Sequence, residues 1–460
     1  MNYYEFLAKK QVHTKRSGFE AEVTNTYAFD WQKAIVKWSL RQGRSALFED
    51  CGLGKTLQEL IWAEQVHIHT NSPVLILTPL AVSAQAKREA EKFGIKCSIA
   101  ETSADVVNGI NITNYEKIEK FDCTQFSGVV LDESSILKSY MGKIKRYLVE
   151  HFADTPYKLA ATATPAPNDL MELLNHAEFL GIMRSCEALA IWFLADQSES
   201  GKYRLKRHAA SDFWRWVTSW AVCIETPADI GYDGSGYVLP PLNEIDEIVK
   251  TDILSDNFDD GFFREINMSA TGYHAEKRKT LESRCTKTAE LVKNIGKQVA
   301  VWCGMNDEAD LLKKLIPDSV EIRGSDTAAK KERAALDFIN GDIRVLISKP
   351  SIFGYGLNFQ NCHNTIFCGM DYSFENYYQA VRRFHRFGQK EAVNVYRVIG
   401  STELDILNTV NRKAALKTEM AESMARAMSA MQTENIHGRE FSLDLKRQEI
   451  SAPEWLRSVI

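Results

Sequence analysis

The stretch Ala46-Leu47-Phe48-Glu49-Asp50-Cys51-Gly52-Leu53-Gly54-Lys55-Thr56-Leu57-Gln58-Glu59-Leu60 decides how this chain is read. A short apolar run enters a turn with two glycines and leaves through Lys-Thr into a segment with helical patterning. That is the context of a phosphate loop. Glycines let backbone N–H groups approach a polyphosphate at a helix N-terminus, a lysine offers charge to the β and γ phosphates, and a threonine offers its hydroxyl to Mg²⁺. The backbone donors would come from Asp50, Cys51, Gly52, Leu53 and Gly54, the charge from Lys55 and the metal-directed hydroxyl from Thr56. Glu49 stands where the G-x-x-x-x-G-K-T pattern has its first glycine.

Seventy-seven residues beyond Lys55, Val129-Val130-Leu131-Asp132-Glu133 closes an apolar run with two carboxylates. Phosphoryl transfer needs such a pair: Asp132 to hold Mg²⁺ and Glu133 to orient or deprotonate water. Around these motifs, apolar runs alternate with helical stretches. Val74–Thr78 is followed by a patterned segment ending near Phe93, and Gly128–Leu131 and Tyr157–Ala161 are further buried-strand candidates. Alternation of this kind predicts parallel β/α units, whose ligands gather at the carboxyl ends of the strands.

A second series, Gln298–Trp302, Arg344–Ile347 and Thr365–Phe367, predicts a second α/β domain. Between the two lies an aromatic stretch with helical patterning, Ala190–Leu194 and Phe213–Val217, closed by Tyr232–Gly236 and the break Pro240-Pro241. The domain boundary is placed just after the prolines, giving units 1–243 and 244–460. The last fifty residues, including Arg412 to Ala430, read as an amphipathic helix packed on the second domain.

Asp132-Glu133-Ser134-Ser135 stands where superfamily 2 helicases carry their DEAD or DEAH box, and other motifs of that family fall in order along the chain. Thr78-Pro79-Leu80 resembles motif Ia, Ala161-Thr162-Ala163-Thr164-Pro165 motif III, and Gly354–Phe359 motif V. Gln379-Ala380-Val381-Arg382-Arg383-Phe384-His385-Arg386-Phe387-Gly388-Gln389 is similar to motif VI of the Swi/Snf branch. The resemblance runs from about residue 29 to 390. It implies an α/β fold of two RecA-like parallel-sheet domains, with a helical insertion at about 171–240 and a C-terminal helical segment from about 405. ATP and Mg²⁺ are the implied cofactors. Gln32, in Phe29-Asp30-Trp31-Gln32, would read adenine, Gly356 would lie at the nucleotide, and Arg383 and Arg386 would be arginine fingers on the γ phosphate.

By the same resemblance, Thr113 and Asn114 would touch a nucleic-acid backbone, and Lys202, Arg204, Lys206 and Arg207 in the insertion would face duplex DNA. The function implied is an ATP-dependent translocase on duplex DNA, binding without sequence preference. A strand-separating helicase on DNA or RNA would share every ATP-site residue, and an ATP-switched scaffold would not need Glu133, Arg383 and Arg386 together. Four positions depart from the branch: Ser134-Ser135 replaces Ala-His, Ala86 replaces tryptophan, and Phe353 replaces glycine.

Composition narrows the setting. A net charge of -5 argues against gripping nucleic acid by bulk charge, so any DNA track must be local. The nine cysteines are odd in number and never form a C-x-x-C pair, which predicts reduced thiols and no structural zinc; Cys362 and Cys368 are expected in core or strand-end roles. No apolar run of 18 residues or signal-peptide pattern is present, so the expectation is a cytoplasmic protein away from membranes, and compactness without chromodomain, bromodomain or zinc patterns resembles a bacterial or phage-type member. It is compatible with a monomer and works with a protein partner that the sequence does not name.

Overall fold

The structure, a computed structural model, describes residues 18–79, 82–139, 142–195, 203–249, 277–352 and 358–428. The predicted strands build two separate parallel sheets. The first has the order β3-β4-β2-β5-β6-β1-β9. Its strands are β1 (Arg44–Glu49), β2 (Val74–Thr78), β3 (Cys97–Ile99), β4 (Ile110–Asn114), β5 (Gly128–Asp132), β6 (Tyr157–Ala161) and β9 (Ala221–Ile224). Runs such as Val74-Leu75-Ile76-Leu77 are buried along their whole length because helices cover both faces, which is why they are apolar throughout rather than alternating. The register pairs Leu47 and Asp132 each with Ala161, and Thr78 with Asn114. All five strand ends that carry motifs therefore meet at one edge.

Helices α1 (Asp30–Gln42), α2 (Lys55–Thr70), α3 (Ser83–Lys92), α4 (Lys143–His151) and α5 (Glu172–Leu180) complete the body of this domain. Next come α6 (Ser185–Trp192), the antiparallel pair β7 (Phe193–Ala195) and β8 (Tyr203–Leu205), and α7 (Ala210–Thr218). The insertion at 171–240 is thus not purely helical. Its apolar run Ala190–Leu194 leaves the helix at Trp192, and Ala221–Ile224 returns as β9 to pair with β1 at the edge of the main sheet. The aromatic stretch is core: Trp192 stacks on Trp216 at 4.4 Å, with Phe213 edge-on to Trp192. Each such side chain contributes about 1.5–3 kcal/mol by leaving water.

The second sheet has the order β10-β15-β14-β11-β13-β12, all parallel. Its strands are β10 (Leu242–Val249), β11 (Val299–Cys303), β12 (Val320–Glu321), β13 (Val345–Ser348), β14 (Asn364–Cys368) and β15 (Val393–Gly400). Helices α8 (Leu281–Ile295), α9 (Asn306–Leu315), α10 (Ala328–Asn340) and α11 (Phe374–Val381) belong to it. Strand β10 starts directly after the proline pair, with Val393 N–H donating to Pro241 O at 2.9 Å.

The last helix, α12 (Leu404–Met428), corrects an expectation. It does not rest on the second domain alone. Ile406, Leu407 and Val410 lie in the second-domain core, whereas Met420 and Met424 lie in the first-domain core. A heptad-like stripe predicts a buried face but not which body buries it. Among the described residues, no helix is long and apolar enough to cross a membrane. All nine cysteines are free; Cys362 and Cys368 are buried, and Cys362 Sγ donates to Gln298 O and Asn364 O, each at 3.2 Å.

Candidate active site

The phosphate loop leaves β1 and enters α2 through two glycines in the left-handed region, Gly52 at φ 94° and Gly54 at φ 78°. A side chain would be strained at either. Crowding adds to this at Gly54, where a Cβ would stand 2.6 Å from Gln32 Nε2. Glu49 tolerates the place of the first glycine because it is still strand: its side chain turns into the core and accepts from Gln58 Nε2 at 2.7 Å. Lys55 Nζ donates to Glu49 O at 2.8 Å and Asp50 O at 3.2 Å, which holds it at the mouth of the loop.

Carboxylates surround that lysine. Burial pushes Glu49 up to about 7, against the pull of Lys55 and Gln58. Burial and then the Glu133 charge push Asp132 up to about 7. Glu59, on α2 behind the loop, is raised well above the usual carboxylate range by burial and then by Asp132, and its Oε1 has no hydrogen-bond partner. Glu133 is also raised, by burial and then by Glu375. Burial disfavours the charge on Lys55, yet Cys51, Glu133, Glu49 and Asp50 outweigh it and hold its ammonium above its ordinary value. Thr56, Asp132 and Glu133 line one cavity of about 100 Å³ with Val82, Gln85, Ala86 and Glu89. Ala86 is therefore a wall of this space.

Each residue after β5 has its own anchor. Glu133 takes a left-handed backbone, φ 57° and ψ 58°, and its Oε1 accepts from Thr162 Oγ1 of the motif III segment at 2.6 Å. The Ser134 hydroxyl meets His176 Nε2 of α5 at 3.1 Å. Burial holds His176 down to about 4, so the ring is neutral; Nδ1–H donates to Glu172 O at 3.2 Å, and Nε2 accepts from Ser134. A histidine absent from the motif thus returns to it through space. Ser135 Oγ donates to Glu375 Oε1 at 2.5 Å, across the domain boundary.

The second domain meets the loop through α11 and the turn that follows it. Arg382 Nη2 bonds Asp50 Oδ2 at 2.5 Å and Tyr378 OH donates to Asp50 Oδ1. Lys417 Nζ of α12 lies 2.6 Å from Tyr378 OH and 4.1 Å from its ring centroid. Burial opposes the charge on Asp50, but Arg382, Lys417, Tyr378 and the Cys51 N–H prevail and hold it down to about 2. Arg386 packs against the loop, since a Cβ on Gly52 would lie 3.5 Å from Arg386 Cβ. Its Nε is buried without a partner and its pKa is lowered by burial. Arg383 is buried on the same turn. His385 Nε2 meets Pro240 O at 2.7 Å, tying this turn to the interdomain proline.

The structure therefore brings Lys55, Thr56, Asp132, Glu133 and Arg386 together. It treats other expected site residues differently. Gln32 braces the phosphate loop: its Oε1 accepts from Phe29 N–H at 3.0 Å and its Nε2 donates to Leu53 O at 2.8 Å. Thr113 and Asn114 are buried at the end of β4, so as folded they offer no surface to a nucleic-acid backbone. Lys206, half-buried, donates from Nζ to Ala190 O and Ile191 O at 2.9 and 2.7 Å at the end of α6. Arg204 and Arg207 are exposed. Lys202, Phe353 and Gly356 lie outside the described residues. Sequence reasoning missed Glu89, Tyr378, Glu375 and Lys417 as neighbours of the site; Arg382 was visible inside its motif, but its partner was not.

Comparison with known proteins agrees with this geometry. Residues 31–207 match the SNF2-related domain and residues 283–388 the helicase conserved C-terminal domain. The TATA-binding protein-associated factor mot1 of Schizosaccharomyces pombe is 32% identical over 149 residues, 30% of this chain and 8% of that protein. The ATP-dependent helicase brm of Drosophila melanogaster is 22% identical over 83% of this chain and 28% of its own length. The chromodomain-helicase-DNA-binding protein 1-like of Mus musculus is 23% identical over 85% of this chain and 49% of its own. The chain thus spans less than half of each of these relatives. Among solved structures, the Sulfolobus solfataricus SWI2/SNF2 ATPase core in complex with dsDNA overlays 92% of this chain and 99% of its own at 15% identity, with a TM-score of 0.40. With the SNF2-related domain on the phosphate-loop sheet and the helicase C-terminal domain on the sheet that supplies the arginines, the chain belongs to the Snf2-like branch of helicase superfamily 2.

Proposed function

We propose that the chain is an ATP-driven motor that hydrolyses ATP between its two domains and moves on duplex DNA. The observation that carries the reading is complementary chemistry across one cleft: Lys55, Thr56, Asp132 and Glu133 at the carboxyl edge of the first sheet, and Arg386 from the second domain packed against Gly52. Phosphoryl transfer is almost entirely positioning and charge stabilisation, and these are the groups it uses. Mg²⁺ fits the donor set. Thr56 and Asp132 line the same cavity as Glu133, and their hydroxyl and carboxylate oxygens would hold it. When bound, the ion neutralises charge on the phosphate oxygens.

The chain's own residues do the rest. Lys55 exchanges the carbonyls of Glu49 and Asp50 for phosphate oxygens. Glu133, aimed by Thr162, handles the attacking water, and Arg386 reaches the developing charge as the cleft closes. Alternate closing and opening changes the grip on the DNA backbone. The SNF2-related match and a relative named as DNA-binding favour DNA as the track.

The test is the ATPase rate with no nucleic acid, single-stranded DNA, duplex DNA and RNA in parallel, repeated across salt concentrations. Duplex DNA should stimulate most, and the concentration giving half-maximal stimulation should rise steeply with salt, because backbone contacts release counterions. Stimulation by RNA or single strands alone would replace the duplex reading with an unwinding helicase. No hydrolysis under any condition would leave only an ATP-switched scaffold.

A further inference from the structure

Glu375 stands at the first turn of α11, ahead of Arg382, Arg383 and Arg386, and neither the phosphate chemistry nor the motif VI resemblance uses it. It is buried, yet both of its oxygens are engaged by the other domain. Oε1 accepts from Ser135 Oγ at 2.5 Å, and Oε2 meets Lys138 Nζ at 2.5 Å. Both partners sit on the short 3-10 turn Ser134–Lys138 that begins at Glu133. That turn starts from a left-handed glutamate, a conformation that non-glycine residues hold only when their surroundings over-determine it.

The surroundings are unevenly distributed. Thr162 and His176 hold the turn from within the first domain, and Asn175 Nδ2 donates to Leu137 O at 2.9 Å. Glu375 reaches its outer side from the second domain, through Ser135 and Lys138. The helix that carries it also carries Tyr378 and leads into Arg382 and Arg386. Docking that brings the arginines to the phosphate loop therefore also brings Glu375 to the turn behind Glu133.

We propose that Glu375 is a positioning residue for hydrolysis: by taking Ser135 and Lys138 when the cleft is closed, it locks the strained turn that aims Glu133 at water. The inference rests on the ATPase reading above. It makes the water-handling group complete only when the second domain is in place, so that ATP turnover waits for closure. The contact also gives a role to Ser135, one of the two serines that depart from the usual motif.

The test uses the full chain with duplex DNA and Mg²⁺. E375A should lower kcat by about 10- to 100-fold, the scale of a misplaced catalytic group, with the affinity for a fluorescent ATP analogue and the melting temperature held near wild type. E375Q, which still offers an oxygen to Ser135, should recover much of the loss. In an E133Q background, E375A should cost nothing further in single-turnover hydrolysis, because a residue acting through Glu133 has nothing left to position. Wild-type turnover in E375A would overturn the inference while leaving the ATPase reading intact. So would a loss confined to ATP affinity, or losses from E133Q and E375A that simply multiply. Absence of hydrolysis by the wild-type chain would take both readings down.

Discussion

The carboxyl edges of the two sheets carry buried charge in opposite ways. At the first, Glu49, Glu59, Asp132 and Glu133 surround Lys55, and every one of these acids is pushed up by its removal from water. At the second, Arg284 is fully buried. It bonds Glu308 Oε1 at 2.6 Å, Cys368 O at 3.0 Å and Lys277 O at 2.8 Å, lies 3.4 Å from Glu403, and has Lys277 beside the same two acids. Glu308 and Glu403 also accept from the backbone N–H groups of Gly304 and Gly400, both at 2.8 Å. One edge has an excess of acid and the other is balanced. The same architecture carries unbalanced acid at one edge and a paired, sealed cluster at the other.

Substitutions can break this contrast. The largest effect is expected at the cleft itself: R386A should lower kcat by ~10³- to 10⁵-fold, and E133Q by ~10²- to 10⁴-fold, with little change in melting temperature. Either variant hydrolysing ATP at the wild-type rate would remove that residue from the chemistry. Next in size, R284M should cost about 3–5 kcal/mol in denaturant unfolding, because it strands Glu308 and Glu403 without their cation. E59Q, at the acidic edge, should leave the ligand-free protein as stable as wild type or more so. Equal losses from R284M and E59Q would mean that the two edges are not built differently.

The smallest expected effect sharpens the comparison through pH. Glu49 ionises at about 7 in the folded chain, above the 4.5 of the unfolded chain, so between these values the folded state holds the extra proton. Stability must then fall as pH rises from about 4.5 to 7, by up to about 3 kcal/mol from this group. His176 has the opposite sign: held down to about 4, it removes stability as pH falls below 6.5. E49Q should flatten the loss on the rising side alone, read as melting temperature against pH without nucleotide. An unchanged profile would mean that Glu49 is not the strained acid the geometry makes it.

How much of this was legible in sequence follows from how local each feature is. The phosphate loop, the acid pair and the apolar runs of both sheets depend on residues within a turn or strand of one another, and they were readable. The partner of Arg382 was not, because Asp50 is 332 positions away and nothing in either segment names the other. His176 could not be assigned to Ser134 for the same reason, with 42 positions between them. The burial of Thr113 and Asn114 was not readable, because a strand-end polar pair looks alike whether it opens to solvent or closes inward. The short strand Ala221–Ile224 was hidden by the aromatic helix just before it. Within its four residues there is no period to count.

Helix α12 places a mechanical bound on whatever motion the cleft undergoes. Its early turns are rooted at Val410 in one domain and its later turns at Met420 in the other, a separation of about 15 Å along a single rigid rod. Pulling the domains wide apart would extract Met420 and Met424 from their core, at about 1.5–3 kcal/mol each. The helix therefore acts as a tether that favours rocking of the two domains over their separation.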